Sequence, residues 1–225
     1  MPQVNLKKDD VRARAHYFAA FVGGFLGIFP LLSSAGVFGS AQTVNLIEWI
    51  FSFLRLDSKG VFFYGIGVFL YAFAVFLATI VNRRCKIDLR YFSIFIDGIA
   101  AFVMWKMPEV LPENVSGVVY LYPNFFAMAF QWCAFGGAYG FVSSTIFSTN
   151  NLRQAVSSFT EVFCNGKREF MLKAKFFSIT ILFFHIGVAF SFVLNRFFGN
   201  GAFLFVFLPL TAVFFTVRKE NGIEN

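Results

Sequence analysis

The sequence predicts an all-α polytopic membrane protein: six transmembrane helices arranged as two inverted three-helix repeats, each with a broken helix. Three observations carry that expectation. Hydrophobic residues make up 58% of the 225 and charged residues 14%, with 37 Phe, whereas a soluble domain carries about 25% charged residues. Charge-free stretches long enough to cross a bilayer recur along the chain. Two short polar motifs recur at a fixed spacing. The same composition excludes a disordered chain, which needs low hydrophobicity and high net charge.

A helix needs about 20 apolar residues to cross the hydrocarbon core. Residues 15–47, 60–82, 114–152, 176–195 and 197–217 contain no Asp, Glu, Lys or Arg. They give five spans. The sixth, Tyr91 to Trp105, is short and carries Asp97 at its centre. Charge asymmetry argues that it crosses. With six spans and a cytoplasmic N-terminus, only Arg55, Lys59, Lys106 and Arg196 of the 19 basic residues lie outside. Without that span the bias disappears, so the positive-inside rule favours six spans with both termini cytoplasmic. The predicted spans are 15–36, 61–81, 90–107, 122–142, 176–196 and 202–217, in one transmembrane domain over 1–225. The net charge of +7 is then an orientation signal between spans, and nucleic acid is not an expected partner.

Two segments fit neither span nor loop. Residues 43–56 and 150–163 are too apolar for loops and too short to cross, so each reads as a short helix at the membrane surface. Thr43-Val44-Asn45-Leu46 and Thr149-Asn150-Asn151-Leu152 align at an offset of 106, and Gly60 aligns with Gly166 at the same offset. The expected plan is span, break, short helix, Gly turn, span, span, used twice, over 15–110 and 120–217. Three spans per unit invert the second unit, and inverted repeats with interrupted helices recur in secondary transporters. Gly23, Gly24 and Gly27, with Gly136, Gly137 and Gly140, read as close-packing positions on the first and fourth spans.

The stretch Gly36-Val37-Phe38-Gly39-Ser40-Ala41-Gln42-Thr43-Val44-Asn45 resembles the first hallmark of the YoaK-like family of bacterial membrane proteins. Ser143-Ser144-Thr145-Ile146-Phe147-Ser148-Thr149-Asn150-Asn151-Leu152-Arg153 resembles its second, and Gln131 a family Gln in the fourth span. The likeness runs from about residue 15 to 217. It implies a six-helix inner-membrane protein with a permease-like role. The sequence departs from the family pattern at Val44 and Asn150, where a Gly is usual, and at Gly27, where an Asp is usual.

Polar residues within spans are costly and therefore informative. Thr43, Asn45, Gln131, Thr149, Asn150 and Asn151 are the expected substrate-binding set. Asp97, His185 and Glu48 are the expected proton- or ion-coupling set, with Asp97 and His185 as a candidate pair. Cys85, Cys133 and Cys164 are far apart and form no metal-ligand spacing, and no nucleotide, hydrolase or zinc-protease motif occurs, so no cofactor or metal is expected. The function expected is a small-molecule permease of the inner membrane, with the proton as candidate coupling ion. Its partners are membrane lipids and a small-molecule substrate, and homo-oligomerisation is compatible with it. The alternatives are a membrane-embedded enzyme acting on a lipid-like substrate and a non-catalytic scaffold or sensor.

Overall fold

The computed structural model describes residues 6–32, 42–112 and 115–223. The end of the predicted first span and the Gly36–Ala41 part of the first hallmark lie outside the described residues. Among the described residues the regular structure is helical apart from one short hairpin with two residues in each strand. The helices are α1 (Leu6–Leu32), α2 (Gln42–Leu54), α3 (Ser58–Arg84), α4 (Leu89–Val110), α5 (Tyr122–Ala134), α6 (Thr149–Asn165), α7 (Phe170–Phe198) and α8 (Phe207–Asn221). Short 3-10 segments precede α5 and α8, at Gly117–Leu121 and Gly199–Val206. Two helical stretches, Ser58–Arg84 and Phe170–Asn221, are long and apolar enough to cross a membrane.

Local chemistry sets several helix ends. Asp88 caps α4 by accepting from the Arg90 backbone N–H, which satisfies one of the donors a helix N-terminus leaves open. Pro123 in the first turn of α5 removes a donor that had no partner there. Gly166 ends α6 in the left-handed region, at φ 66°, where a Cβ would be strained.

α1 lies at the centre, against α7 and α8, and α5 packs on α3 and α4. The short helices ride on their neighbours: α2 on α3, α6 on α7. The main core cluster sets Ala15, Ala19, Ala100, Ala101, Ala127 and Ala202 among larger side chains such as Phe25, Leu26, Met128 and Phe203. Many Phe side chains instead point outward, including Phe62, Phe69 and Phe76 on α3 and Phe192 and Phe197 on α7. A Cβ on Gly24 would sit 2.0 Å from the Phe184 carbonyl oxygen, and one on Gly187 2.1 Å from that of Phe21. α1 and α7 therefore cross with backbone against backbone.

α5 is tied to α1 by two buried amides. Asn124 Nδ2 donates to the Leu26 carbonyl at 3.1 Å, and Gln131 Nε2 to the Ala19 carbonyl at 2.8 Å. The rungs are two turns apart on both helices and run in opposite sense, so α1 and α5 are antiparallel.

Three expectations are corrected. The predicted fourth span, 122–142, is not a continuous helix: α5 stops at Ala134, and Gly137–Ala138 (β1) pairs antiparallel with Phe141–Val142 (β2). Gly137 (φ 127°) and Gly140 (φ 76°) hold backbone angles that glycine adopts without strain, and Tyr139 is at φ 55°. Gly136, Gly137 and Gly140 thus form a break in the chain and do not pack helices together. Gly60 is not a turn residue: it lies in the first turn of α3, where a Cβ would meet Ser52 Oγ at 2.4 Å. α1 begins at Leu6, ahead of the predicted first span, and buries Val11 and Ala13 in that lead-in.

Candidate functional site

The break between α5 and α6 collects the densest buried polar network among the described residues. Ser143, Ser144, Thr145 and Asn151 are buried, as are Gln131 from α5 and His16 from α1. Asn151 Nδ2 donates to the carbonyls of Ser144 (2.7 Å) and Phe147 (3.1 Å). That orients the amide, so its Oδ1 accepts from Ser143 Oγ at 3.0 Å. With its only proton committed there, Ser143 accepts at its contact with His16 Nε2, also 3.0 Å. The proton of neutral His16 is therefore on Nε2, and Nδ1 is left as a lone-pair acceptor. Nδ1 is buried and has no partner. Gln131 Nε2 also donates to Thr145 Oγ1 at 2.8 Å, which fixes the break to α5.

This Ser–His contact does not make a nucleophile. A serine is activated when histidine accepts its proton and a carboxylate holds the far ring nitrogen. Here Ser143 gives its proton to Asn151, and no acid holds Nδ1.

A cavity of about 410 Å³ opens beside His16. Arg12, Arg90 and the hairpin residues Gly136 to Ala138 and Gly140 to Val142 line it, with Ala134 and Phe135. Both arginines are anchored on Glu220 of α8, whose side chain is 1% exposed. Arg12 Nε lies 2.8 Å from Oε1, and Arg90 Nη1 bonds Oε2. Arg90 Nη2 also holds Asp88 Oδ2 at 2.6 Å and Asn221 Oδ1 at 3.2 Å. Tyr139 on the hairpin donates to Asp10 at 2.6 Å.

The Asp88 carboxyl is half-buried, and desolvation alone would raise its pKa. Hydrogen bonds from the Arg90 side chain and backbone, the Arg90 charge and Asn221 outweigh it and hold the pKa below the usual range. A carboxylate held low stabilises the fold above its unfolded pKa of about 3.9 and loses that contribution as pH falls through the folded value. The thermal midpoint of Asp88→Asn is therefore expected to lie below that of the unsubstituted chain at neutral pH. The gap closes as the pH falls below about 4. A gap that stays constant from pH 7 to pH 3 would show that charge is not what Asp88 contributes.

The structure brings Gln131 and Asn151 together at the break, through Thr145, Ser143 and Ser144. Thr149 and Asn150 are exposed in the first turn of α6. Thr43 is exposed and Asn45 buried in α2, where Asn45 Nδ2 bonds Gln42 Oε1 at 3.3 Å. Glu48 is half-buried on the same helix, and its backbone carbonyl accepts from Ser52. Asp97 is buried in α4 with Ser93 Oγ 3.5 Å from Oδ2, and its Oδ1 has no partner. His185 is exposed, and its Nδ1 sits 2.9 Å from the Ile181 carbonyl of its own helix. A carbonyl only accepts, so Nδ1 carries the proton there. The expected Asp97–His185 pair is not formed.

Sequence reasoning missed His16, Arg12, Arg90 and Glu220 as site residues. His16 shares a helical face with Ala13, Ala20 and Gly23, at spacings of three, four and seven, and that apolar stripe was the available signal. Arg12 and Arg90 read only as topology markers and Glu220 drew no reading, because nothing in their spacing says that α1, α4 and α8 end at one place.

No curated protein and no solved structure matches the chain. A family model does, over residues 15–216, from within α1 to within α8, and its description is Protein of unknown function (DUF1275). The chain belongs to that family.

Proposed function

We propose that the protein is a six-span permease for a small molecule in the bacterial inner membrane, with both termini cytoplasmic, built from two inverted repeats. The spans in this reading are α1, α3, α4, α5 with the break that follows it, α7, and α8 with its 3-10 lead-in. The observation that carries it is the break itself. α5 has 13 residues, about 20 Å of helix at 1.5 Å per residue, and only with the five-residue 3-10 lead-in, about 10 Å more, does it match the roughly 30 Å hydrocarbon core. In this reading the non-helical segment 135–148 reaches membrane depth, because the Thr145 carbonyl packs on Gly23 within the first span, where a Cβ would lie 2.2 Å from it. Irregular backbone is tolerated there only inside protein or beside a water-filled cavity. Both conditions fit: Ser143 to Ile146 are buried, and the hairpin lines the 410 Å³ cavity.

Several features support the membrane and repeat readings. Only 17% of the apolar window in Ser58–Arg84 and 28% of that in Phe170–Asn221 is buried, whereas the core helix of a soluble protein buries most of such a stretch. Outward Phe on this scale suits lipid and not water. Arg12, Arg90, Glu220 and Asn221 meet at one end, as a cytoplasmic N-terminus, second loop and C-terminus require. The packing also survives exchange of the units: α1 on α7 and α8 answers to α5 on α3 and α4. At the aligned motifs, Asn45 and Asn151 are buried while their three companions in each motif are exposed. Ser52 and Ser158, again 106 apart, are both buried and both donate to the carbonyl four residues back. The antiparallel run of α1 and α5 fits inversion.

Asp97 supports proton coupling, because it is a buried acid with no basic partner among the described residues. Purified protein in proteoliposomes is expected to take up at least one member of a panel of labelled metabolites saturably, faster with an imposed pH gradient. Asp97→Asn is expected to remove the gradient dependence, a loss of about tenfold or more in driven uptake, and to leave counterflow exchange intact. Turnover of a lipid-like substrate in detergent, with no flux, would replace the permease reading by the enzyme one.

A further inference from the structure

We infer that α6, with the turn that joins it to α7, is a surface helix that holds the headgroups of anionic phospholipids in the cytoplasmic leaflet. The inference rests on the membrane reading and its orientation, and is independent of transport.

α6 is tied down at the end where α7 enters the apolar core. Ala155 belongs to a buried cluster with Ala13, Phe176 and Phe177, and the charge-free run of the fifth span begins at Phe176. The buried face of α6 is Asn151, Ala155 and Ser158, which share one side of the helix. The rest of its surface is uncovered and divided. Leu152, Val156 and Phe163 are exposed, and their spacings of four and seven make them one apolar edge. Beside that edge stand Arg153, Ser157 and Thr160, all exposed. A helix of this kind lies in the membrane interface, its edge among the acyl chains and its cations at the headgroups.

Charge names the headgroup. Arg153, Arg168 and Lys175 are exposed, and none of the three makes an ion pair among the described residues. Arg153 Nη2 bonds the neutral amide of Asn150 at 3.2 Å. Glu161, the acid of α6, is engaged by Asn165 at 2.8 Å and Lys167 at 3.3 Å. A guanidinium fork matches the oxygens of a phosphate.

The aligned segment of the first unit makes the comparison. Residues 149–175 carry five basic residues against Glu161 and Glu169. Residues 43–69, at the offset of 106, carry Arg55 and Lys59 against Glu48 and Asp57. α2 is thus balanced in charge and exposes Ile47, Ile50, Phe53 and Leu54, which suits acyl chains alone. The positive-inside rule calls for cations in the loop before α7. It does not call for an apolar edge beside them.

Cys164 is exposed on α6, next to Phe163. In a Cys85→Ser/Cys133→Ser background it can carry a donor fluorophore. The full chain is reconstituted in phosphatidylcholine vesicles with a trace of acceptor-labelled phosphatidylglycerol or, separately, of acceptor-labelled phosphatidylcholine. Energy transfer is expected to report a local excess of phosphatidylglycerol of about tenfold or more, since each cation near the surface is worth about fivefold. The excess is expected to shrink at high salt. Arg153→Gln/Arg168→Gln/Lys175→Gln is expected to reduce it about fivefold or more, and Arg55→Gln/Lys59→Gln to leave it unchanged. If the triple variant does not accumulate, the tracer comparison and its salt dependence decide. Equal transfer from the two tracers would overturn the inference, as would an excess that the triple variant retains. Either result leaves the membrane reading standing. Recovery of the chain in the soluble fraction after lysis would overturn that reading, and the inference with it.

Discussion

Gly24→Val and Gly187→Val are each expected to prevent accumulation of folded protein. In both, the added Cβ would lie about 2 Å from a main-chain carbonyl oxygen of the opposite helix, Phe184 for one and Phe21 for the other. Ordinary overpacking of a core costs about 1–3 kcal/mol because side chains can rotate away. A carbonyl inside a helix cannot, so α1 and α7 would have to separate along their length, and the cost exceeds that range. The measurement is the yield of monodisperse protein by size-exclusion chromatography after extraction. Gly136→Ala is the matched control, because its Cβ would enter open space. Normal yields of both valine variants would show that the two helices do not cross as described.

Glu220→Ala is expected to destabilise the protein by about 3–5 kcal/mol, the usual consequence of removing one partner from a buried ion pair. The side chain is 1% exposed and joins Arg12 of α1 to Arg90 of α4. Its removal strands Arg90, which is 13% exposed, against a single remaining carboxylate, Asp88. For a chain of this length the loss corresponds to a fall of about 6–20 °C in thermal midpoint. Arg12→Ala is expected to cost less, because Arg12 is 41% exposed and solvent screens its half of the network. The double variant Glu220→Ala/Arg12→Ala should lose less than the sum of the two single variants, since one interaction is removed twice. Full additivity would mean that the two residues are not coupled.

Much of the helical plan was legible along the chain. The predicted second, third and fifth spans fall within α3, α4 and α7, and the two short helices appear as α2 and α6 with ends shifted by two residues or fewer. These are local properties: an apolar run of given length, a Gly or capping residue at its end. The fourth span misled because residues 114–152 carry no charge, and hydropathy does not register that Phe135-Gly136-Gly137 ends a helix. Three glycines in five positions were read as a packing surface. The same residues serve a hairpin, because Gly137 and Gly140 take positive φ, and a backbone angle leaves no mark in a hydropathy profile.

The polar residues divide along a similar line. Gln131 was identified from residue type, since a buried amide in an apolar run must find partners, and Asn151 from the repeated Thr/Asn motif. Type did not say which partners. Gln131 spends its donors on the Ala19 carbonyl and Thr145, and His185 turns outward to its own helix. The sequence by itself determined that the chain is helical and apolar and where polar groups interrupt it, because those follow from composition and from periodicity within a single segment. Only the tertiary structure decided that His16, Ser143 and Asn151 form one directed chain of hydrogen bonds, and that Arg12, Arg90 and Glu220 meet. Those contacts join residues 8 to 208 positions apart, and their existence depends on how helices cross and which way each amide is turned.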